Sequence, residues 1–244
     1  MTLAAAANLP HVDQRHATPD EVERAEYGFY LERVRPGDVV ADAGAHVGAL
    51  TTLFSTFVGP QGCVHAFEPG RWAFRRLRAV TRAGGMSNTR LHHMAVTDHV
   101  GDDDLVLYDE AHQSWNGLRP RPLANYGIDV RPVGRQSVPV ITLDAFAAQH
   151  GIARFDLVKL DVEGAELQAL RGARQLLVDQ RIGCVVFEVG QTTFDFGNRP
   201  EEITTFCQEV GYRLRSVIPG ASLFPGGSSA KTARFAMHIA EPAS

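Results

Sequence analysis

A chain of 244 residues with 44% hydrophobic side chains can bury a full core, and its length allows one domain or one domain with a small addition. Its 24 Lys and Arg against 28 Asp and Glu leave a net charge of −4, without the basic excess of a general nucleic-acid binder. Cys63, Cys184 and Cys207 are odd in number, lie in apolar segments and lack C-x-x-C spacing. They read as reduced thiols of an intracellular, cytoplasmic protein, with no disulfide framework and no zinc site.

The opening MTLAAAANLPHVDQR has no basic leader, and its apolar run stops at Pro10, too short for a signal peptide or a membrane span. Residues 1–17 are expected to be a mobile arm, and 18–244 a single domain. Thr18-Pro19-Asp20-Glu21 is a helix start, with a hydroxyl cap, proline at the first helical position and acids in the first turn. Val22, Ala25, Glu26, Phe29, Tyr30 and Val34 then give one mostly apolar face.

Val39 to Ala41 reads as a buried strand, Asp42 to His46 as a turn of small residues, and Val47 to Val58 as a helix with Val47, Leu50, Leu53, Phe54 and Phe57 inward. The next strand, Val64 to Phe67, ends in Glu68, 20 residues after Gly48. An acid at that place can accept both hydroxyls of a ribose. A dinucleotide fingerprint counted from Gly44 would need glycines where His46 and Ala49 stand, which disfavours NAD; no phosphate-binding P-loop occurs either. S-adenosylmethionine suits the turn better: it has a ribose for Glu68, no phosphate, and cationic groups that Asp42 and nearby acids would attract. Gly44 and Gly48 alone would require only a tight turn.

Trp72 to Ala83 reads as a helix whose Arg71, Arg75, Arg76, Arg78 and Arg82 form a solvated face, and Arg90 to Val96 as a strand. His92 and His93, being adjacent on it, face opposite ways and cannot share a metal; one is expected packed and the other solvated. Just beyond, the Ala95 backbone or Asp98 could receive an adenine amino group.

The segment from about Asp102 to Val138 interrupts the alternation of helix and strand. After a strand at Leu105 to Tyr108 it holds Pro120, Pro122, Pro132, Trp115, His112, Tyr126 and four arginines, Arg119, Arg121, Arg131 and Arg135. So long a loop in a compact domain is functional or disordered, and residues 109–138 are expected to be a substrate lid without regular elements. Its arginines and aromatics would favour an acceptor bearing carboxylate, phosphate or polar rings, whereas a plain solvated insertion would need neither.

Thr142 opens a short helix that Asp144 is expected to support. Leu157 to Asp161 is a strand, Ala165 to Val178 a helix, Ile182 to Glu188 a strand and Glu201 to Val210 a helix. Tyr212 to Val217 and Arg234 to Ile239 are two last strands, joined by a loop short enough for an antiparallel hairpin. The whole is α/β, a Rossmann-like doubly wound, mostly parallel sheet. Asp161, Glu163 and Glu166 cluster beyond a strand's carboxyl end, where ligands bind in open sheets. Glu166 alone would be explained by the helix dipole.

Asp42-Ala43-Gly44-Ala45-His46-Val47-Gly48, Phe67-Glu68-Pro69, Thr142-Leu143-Asp144, Lys159-Leu160-Asp161-Val162-Glu163-Gly164-Ala165-Glu166 and Leu170-Arg171-Gly172-Ala173 together resemble the signature set of the FkbM family of S-adenosylmethionine-dependent methyltransferases. The match in order and spacing runs over roughly 35 to 190, and His46 departs from the asparagine most common there. The resemblance implies the class I methyltransferase fold, a Rossmann-like doubly wound mostly parallel sheet with an antiparallel last strand, and O-methylation of a small molecule such as a sugar, polyketide or other secondary metabolite. N-methylation, a carrier-bound acceptor, and a non-catalytic nucleoside-binding module remain open.

The cofactor contacts expected are Asp42, Gly44, Ala45, His46, Gly48, Glu68, Ala95, Asp98 and Asp161. Asp161, Glu163 and Glu188 are the candidate catalytic carboxylates. Two such acids could hold a divalent cation, but Gly164 stands where catechol-type enzymes carry a lysine, so a metal is not favoured. Lys159 reads as a partner of Asp161 or as catalytic. The expected partner is a small-molecule acceptor, with no nucleic acid and no membrane, and a homodimer is compatible.

Overall fold

The computed structural model describes residues 17–225 and 229–243, so the arm expected at 1–17 lies, but for Ala17, outside the described residues. Helix α1 (Pro19–Arg33) starts as expected, with Thr18 and Glu21 joined in a reciprocal capping box. It is followed by β1 (Val39–Ala43), α2 (Ala49–Val58), β2 (Cys63–Phe67), α3 (Arg71–Ala83), β3 (Thr89–His92), β4 (Ala95–Val96), β5 (Gly101–Leu107), β6 (Gly134–Ile141), α4 (Leu143–His150), β7 (Leu157–Leu160), α5 (Glu166–Arg171), α6 (Arg174–Val178), β8 (Val185–Val189), α7 (Gln191–Asp195), α8 (Pro200–Glu209), β9 (Tyr212–Ser216) and β10 (Ala236–Pro242).

Seven strands form one sheet in the order β3-β2-β1-β7-β8-β10-β9. Pairs from β3 to β8 are parallel, while β10 runs antiparallel to both β8 and β9 and lies between them. The reversed last strand expected from the sequence is therefore present. Alternation along the strands sorts the two faces. Val158, Leu160, Val185 and Phe187 pack with α4, α5, α6 and α8 on one side; Val40, Leu157, Cys184 and Val186 pack with α1 and α2 on the other. No described helix is long and apolar enough to cross a membrane.

Three expectations need correction. The strand expected over Arg90 to Val96 is two: β3 pairs with β2 through His92, after which the chain leaves the sheet and β4 pairs with β6. The helix expected over Ala165 to Val178 breaks at Gly172 and Ala173, where a Cβ on Gly172 would stand 2.0 Å from the Thr97 carbonyl oxygen. The segment between Asp102 and Val138 is not wholly irregular, since β5 and β6 pair antiparallel along their length and join β4 in a second, three-stranded sheet. The first halves of the two strands, Asp102 to Asp104 and Gly134 to Gln136, are exposed or half-exposed and polar, so no apolar alternation announced those parts. The irregular part shrinks to 108–133 and contains two 3-10 turns, Glu110–Trp115 and Leu123–Tyr126.

Candidate active site

The chain turns sharply after β1. Gly44 has φ of 78°, and its Cα lies so close to the end of β7 that a Cβ would come within 1.8 Å of the Asp161 carbonyl oxygen. Only glycine fits both conditions. The Gly44 and Ala45 amides donate to the Phe67 carbonyl, fastening the turn to the end of β2. Glu68 completes the junction: its carboxylate accepts from the His46 amide at 2.8 Å and from the Gly70 amide at 2.7 Å. Burial raises its pKa to about 7, against the opposing pull of those two amides.

Beneath the turn lies a buried charge cluster. Asp42 is fully buried, accepts from the Thr51 hydroxyl at 2.6 Å and lies 3.5 Å from the Lys159 ammonium. Lys159 also reaches Asp161 at 3.2 Å and donates to the Gly44 carbonyl at 3.1 Å. Of its two sequence readings, partnership with Asp161 is the one the geometry holds.

The loop after β7 turns through two left-handed residues, Glu163 with φ of 54° and Gly164 with φ of 97°. Glu166 holds that loop in place. It is 1% exposed, and its Oε1 accepts from the Val162 and Gly164 amides, both at 3.2 Å. It is thus a buried loop anchor rather than a residue explained by the helix dipole alone, and burial raises its pKa to about 7. Burial raises Glu163 to about 8, with Asp161 adding to the shift and Arg121 opposing it. Glu188, on β8, is held well above the carboxylate range by burial and then by Asp161, Glu163 and Glu166.

These parts surround an open cavity with about 760 Å³ of empty space, open solvent included. Gly44, His46, Glu68, Ala95, Asp161 and Glu163 line it, joined by Phe67, Met94 and Val96 and by Gln113, Ser114, Asn116 and Leu118 from the segment after β5. Asp42, Ala45, Gly48, Asp98 and Glu188 are not in the lining. Asp42 serves the charge cluster below; Gly48 packs where a Cβ would meet Leu77 at 2.7 Å; the Asp98 carboxylate bonds His99 at 3.0 Å. The Nε2 of His46 is buried at the cavity with no hydrogen-bond partner among the described residues. No group of three or more His, Cys, Asp or Glu among the described residues is arranged to hold a metal ion.

Other side chains settle elsewhere. His92 lies 3.1 Å from His65, and His93 stacks on Phe74, so they face opposite ways, yet both are half-buried rather than one being solvated. Asp144 accepts from the Gln175 and Leu176 amides and so caps α6, not its own helix. The four arginines expected to greet an anionic acceptor are all paired with acids: Arg119 with Asp103, Arg131 with Asp129, Arg135 with Asp104, and Arg121 with Glu163 and Asp195. Asp195, the cavity residues Gln113, Ser114 and Asn116, and the role of Arg121 escaped sequence reasoning. Short polar turns carry no periodicity, and only the tertiary fold brings α7 to the acids after β7.

Compared with known proteins, residues 42–214 match the methyltransferase FkbM domain. The 31-O-demethyl-FK506 methyltransferase FkbM of Streptomyces tacrolimicus is 31% identical over 160 residues, covering 57% of this chain and 60% of that protein. The hexuronic acid methyltransferase AglP of Haloferax volcanii is 25% identical over 181 residues, covering 74% of this chain and 65% of that protein. This chain therefore spans less than two-thirds of the length of either relative. Among solved structures, a methyltransferase FkbM from Methylobacillus flagellatus superposes with a TM-score of 0.51 at 16% identity, covering 93% of this chain and 56% of that one, a likeness of fold.

Proposed function

The chain belongs to the methyltransferase FkbM family, and from that premise we propose that it transfers a methyl group from S-adenosylmethionine to a hydroxyl oxygen of a small molecule. The observation that carries this reading is that Glu68 and the pair Asp161 and Glu163 line one and the same cavity. A ribose-binding acid and the acids nearest the reacting methyl would then face a common space.

The residues fit the cofactor. Each Glu68 oxygen spends one lone pair on a backbone amide, which leaves acceptor capacity for two ribose hydroxyls. Phe67, Met94, Ala95 and Val96 supply an apolar wall suited to adenine, and the unpartnered His46 Nε2 offers a polar contact. Asp161, whose side chain is 43% exposed, carries negative charge suited to a cationic amino-acid portion. When bound, S-adenosylmethionine would supply an electrophilic methyl on sulfur and leave as a neutral thioether.

Glu163 is the proposed acceptor of the hydroxyl proton, because it lines the cavity and its raised pKa brings it near the working range of a general base. Glu188, behind it on β8, is a second proton site. Alignment of the two reactants would provide most of the rate, with the base adding about 10² to 10⁴-fold. The name of one relative supports an oxygen acceptor, since it specifies a 31-O-demethyl compound; the other names a hexuronic acid and so a sugar-derived substrate. The proposed acceptor is accordingly a sugar, polyketide or other secondary-metabolite alcohol. Incubation with S-adenosylmethionine and a panel of such alcohols should add one methyl to an acceptor by mass. Methylation confined to amines would overturn the hydroxyl assignment.

A further inference from the structure

We infer that Arg121 is the positioning residue of the acceptor side: it holds Glu163 in place and, through Asp195, fastens the segment after β5 over the cavity. This rests on the reading of the cavity as a methyl-transfer site, but the contacts themselves stand without it. The guanidinium is 3.8 Å from Glu163 and 3.6 Å from Asp195, and all three side chains are largely buried, 14%, 22% and 3% exposed. Three separate pieces of chain therefore converge on one cation: the segment after β5, the loop after β7, and α7.

Arg121 is itself anchored from within its segment. Its amide donates to the Tyr108 hydroxyl at 2.9 Å, and its guanidinium lies over the Trp115 ring at 5.4 Å. Tyr126, five residues on, donates to the other Asp195 oxygen, so the segment grips α7 at two points. The remaining arginines of the region cannot do this. Arg119, Arg131 and Arg135 pair with Asp103, Asp129 and Asp104, all within the segment or its own sheet, and each is at least half exposed.

The same cation decides the charge of Glu163. The carboxyls of Asp161, Glu166 and Glu188 oppose its ionisation; Arg121 and Lys159 favour it. Lys159 is already committed to Asp42 and Asp161. Arg121, in turn balanced by Asp195, is the cation left to favour ionised Glu163. Opening the segment would withdraw that cation, so the carboxylate would be readied only when the cover is closed.

Arg121→Met and Arg121→Lys test this through hydrogen exchange and pH profiles. With Arg121→Met, amides in 111–133 should exchange at least about tenfold faster, and the acid limb of kcat/KM should move up by about one pH unit, the lower end of a nearby charge's effect. Acceptor KM should rise while the S-adenosylmethionine Kd stays within about twofold, and Arg121→Lys should recover most of both changes. Unaltered exchange and an unaltered limb would overturn the assignment. Asp195→Asn loosens the same contact from the other side and serves if Arg121→Met does not fold. Exchange is read without turnover, so an inactive wild type would defeat the proposed function while the clamp was still judged.

Discussion

Lys159 and Asp161 stand two residues apart at the end of β7, with the ammonium of the first 3.2 Å from the carboxylate of the second. Period-two geometry puts both on the α1 and α2 face, where Asp42 of β1 closes the cluster at 3.5 Å. Burial opposes the charge on Lys159, but Asp161 and Asp42 outweigh it and hold its pKa above the usual lysine range. This buried trio joins β1 to β7 directly under the Gly44 turn.

Lys159→Met should therefore destabilise the fold by about 3 to 5 kcal/mol, since it leaves Asp42 as a buried charge without its cation. Denaturant unfolding measures it. A loss below about 1 kcal/mol would show that Thr51 and rearranged solvent satisfy Asp42 alone.

Stability of the cofactor-free protein should fall as pH rises from about 4.5 to about 8. Glu68, Glu163 and Glu166 are raised in the folded state, to about 7, 8 and 7, so the fold binds more protons than the unfolded chain across that window. The stability each contributes is whole below the unfolded pKa and is lost as pH climbs through the folded one. Glu163→Gln should flatten the dependence in thermal melts, and it should also abolish the acid limb of turnover. An unchanged slope in that variant would remove Glu163 from the account.

Replacement of 119–132 by a short Gly/Ser linker should keep cofactor affinity within a few-fold while lowering kcat/KM for the acceptor by at least about 10²-fold, the scale of lost alignment. The boundary follows from the contacts. Gln113, Ser114 and Asn116 to Leu118 line the cavity and Gly117 accepts from the Val106 amide, so they belong to its wall and are left in place. Normal kcat/KM would reduce the segment to a solvated insertion.

What the sequence revealed was what recurs with a period or demands a special residue. The capped start of α1, the strand, glycine turn and helix around Gly44, and Glu68 at the strand end were legible because each rests on local chemistry. The β5 and β6 pairing was legible only in part: Leu105 to Leu107 read as strand, but Asp102 to Asp104 and Gly134 to Gln136 show no apolar alternation. Glu166 looked like a residue suited to the helix dipole until the fold buried it beneath the Val162 and Gly164 amides. The ion pair between Arg121 and Asp195 of α7 joins residues 74 positions apart through a packing that no spacing records.

Calorimetric titration of S-adenosylmethionine into the wild type and Glu68→Ala tests the central claim most directly. The account predicts saturable binding to the wild type, no binding of NAD, and a loss of about 1.5 to 3 kcal/mol in the variant, the range for hydrogen bonds to a charged group. Absence of S-adenosylmethionine binding, or equal affinity in Glu68→Ala, would contradict it.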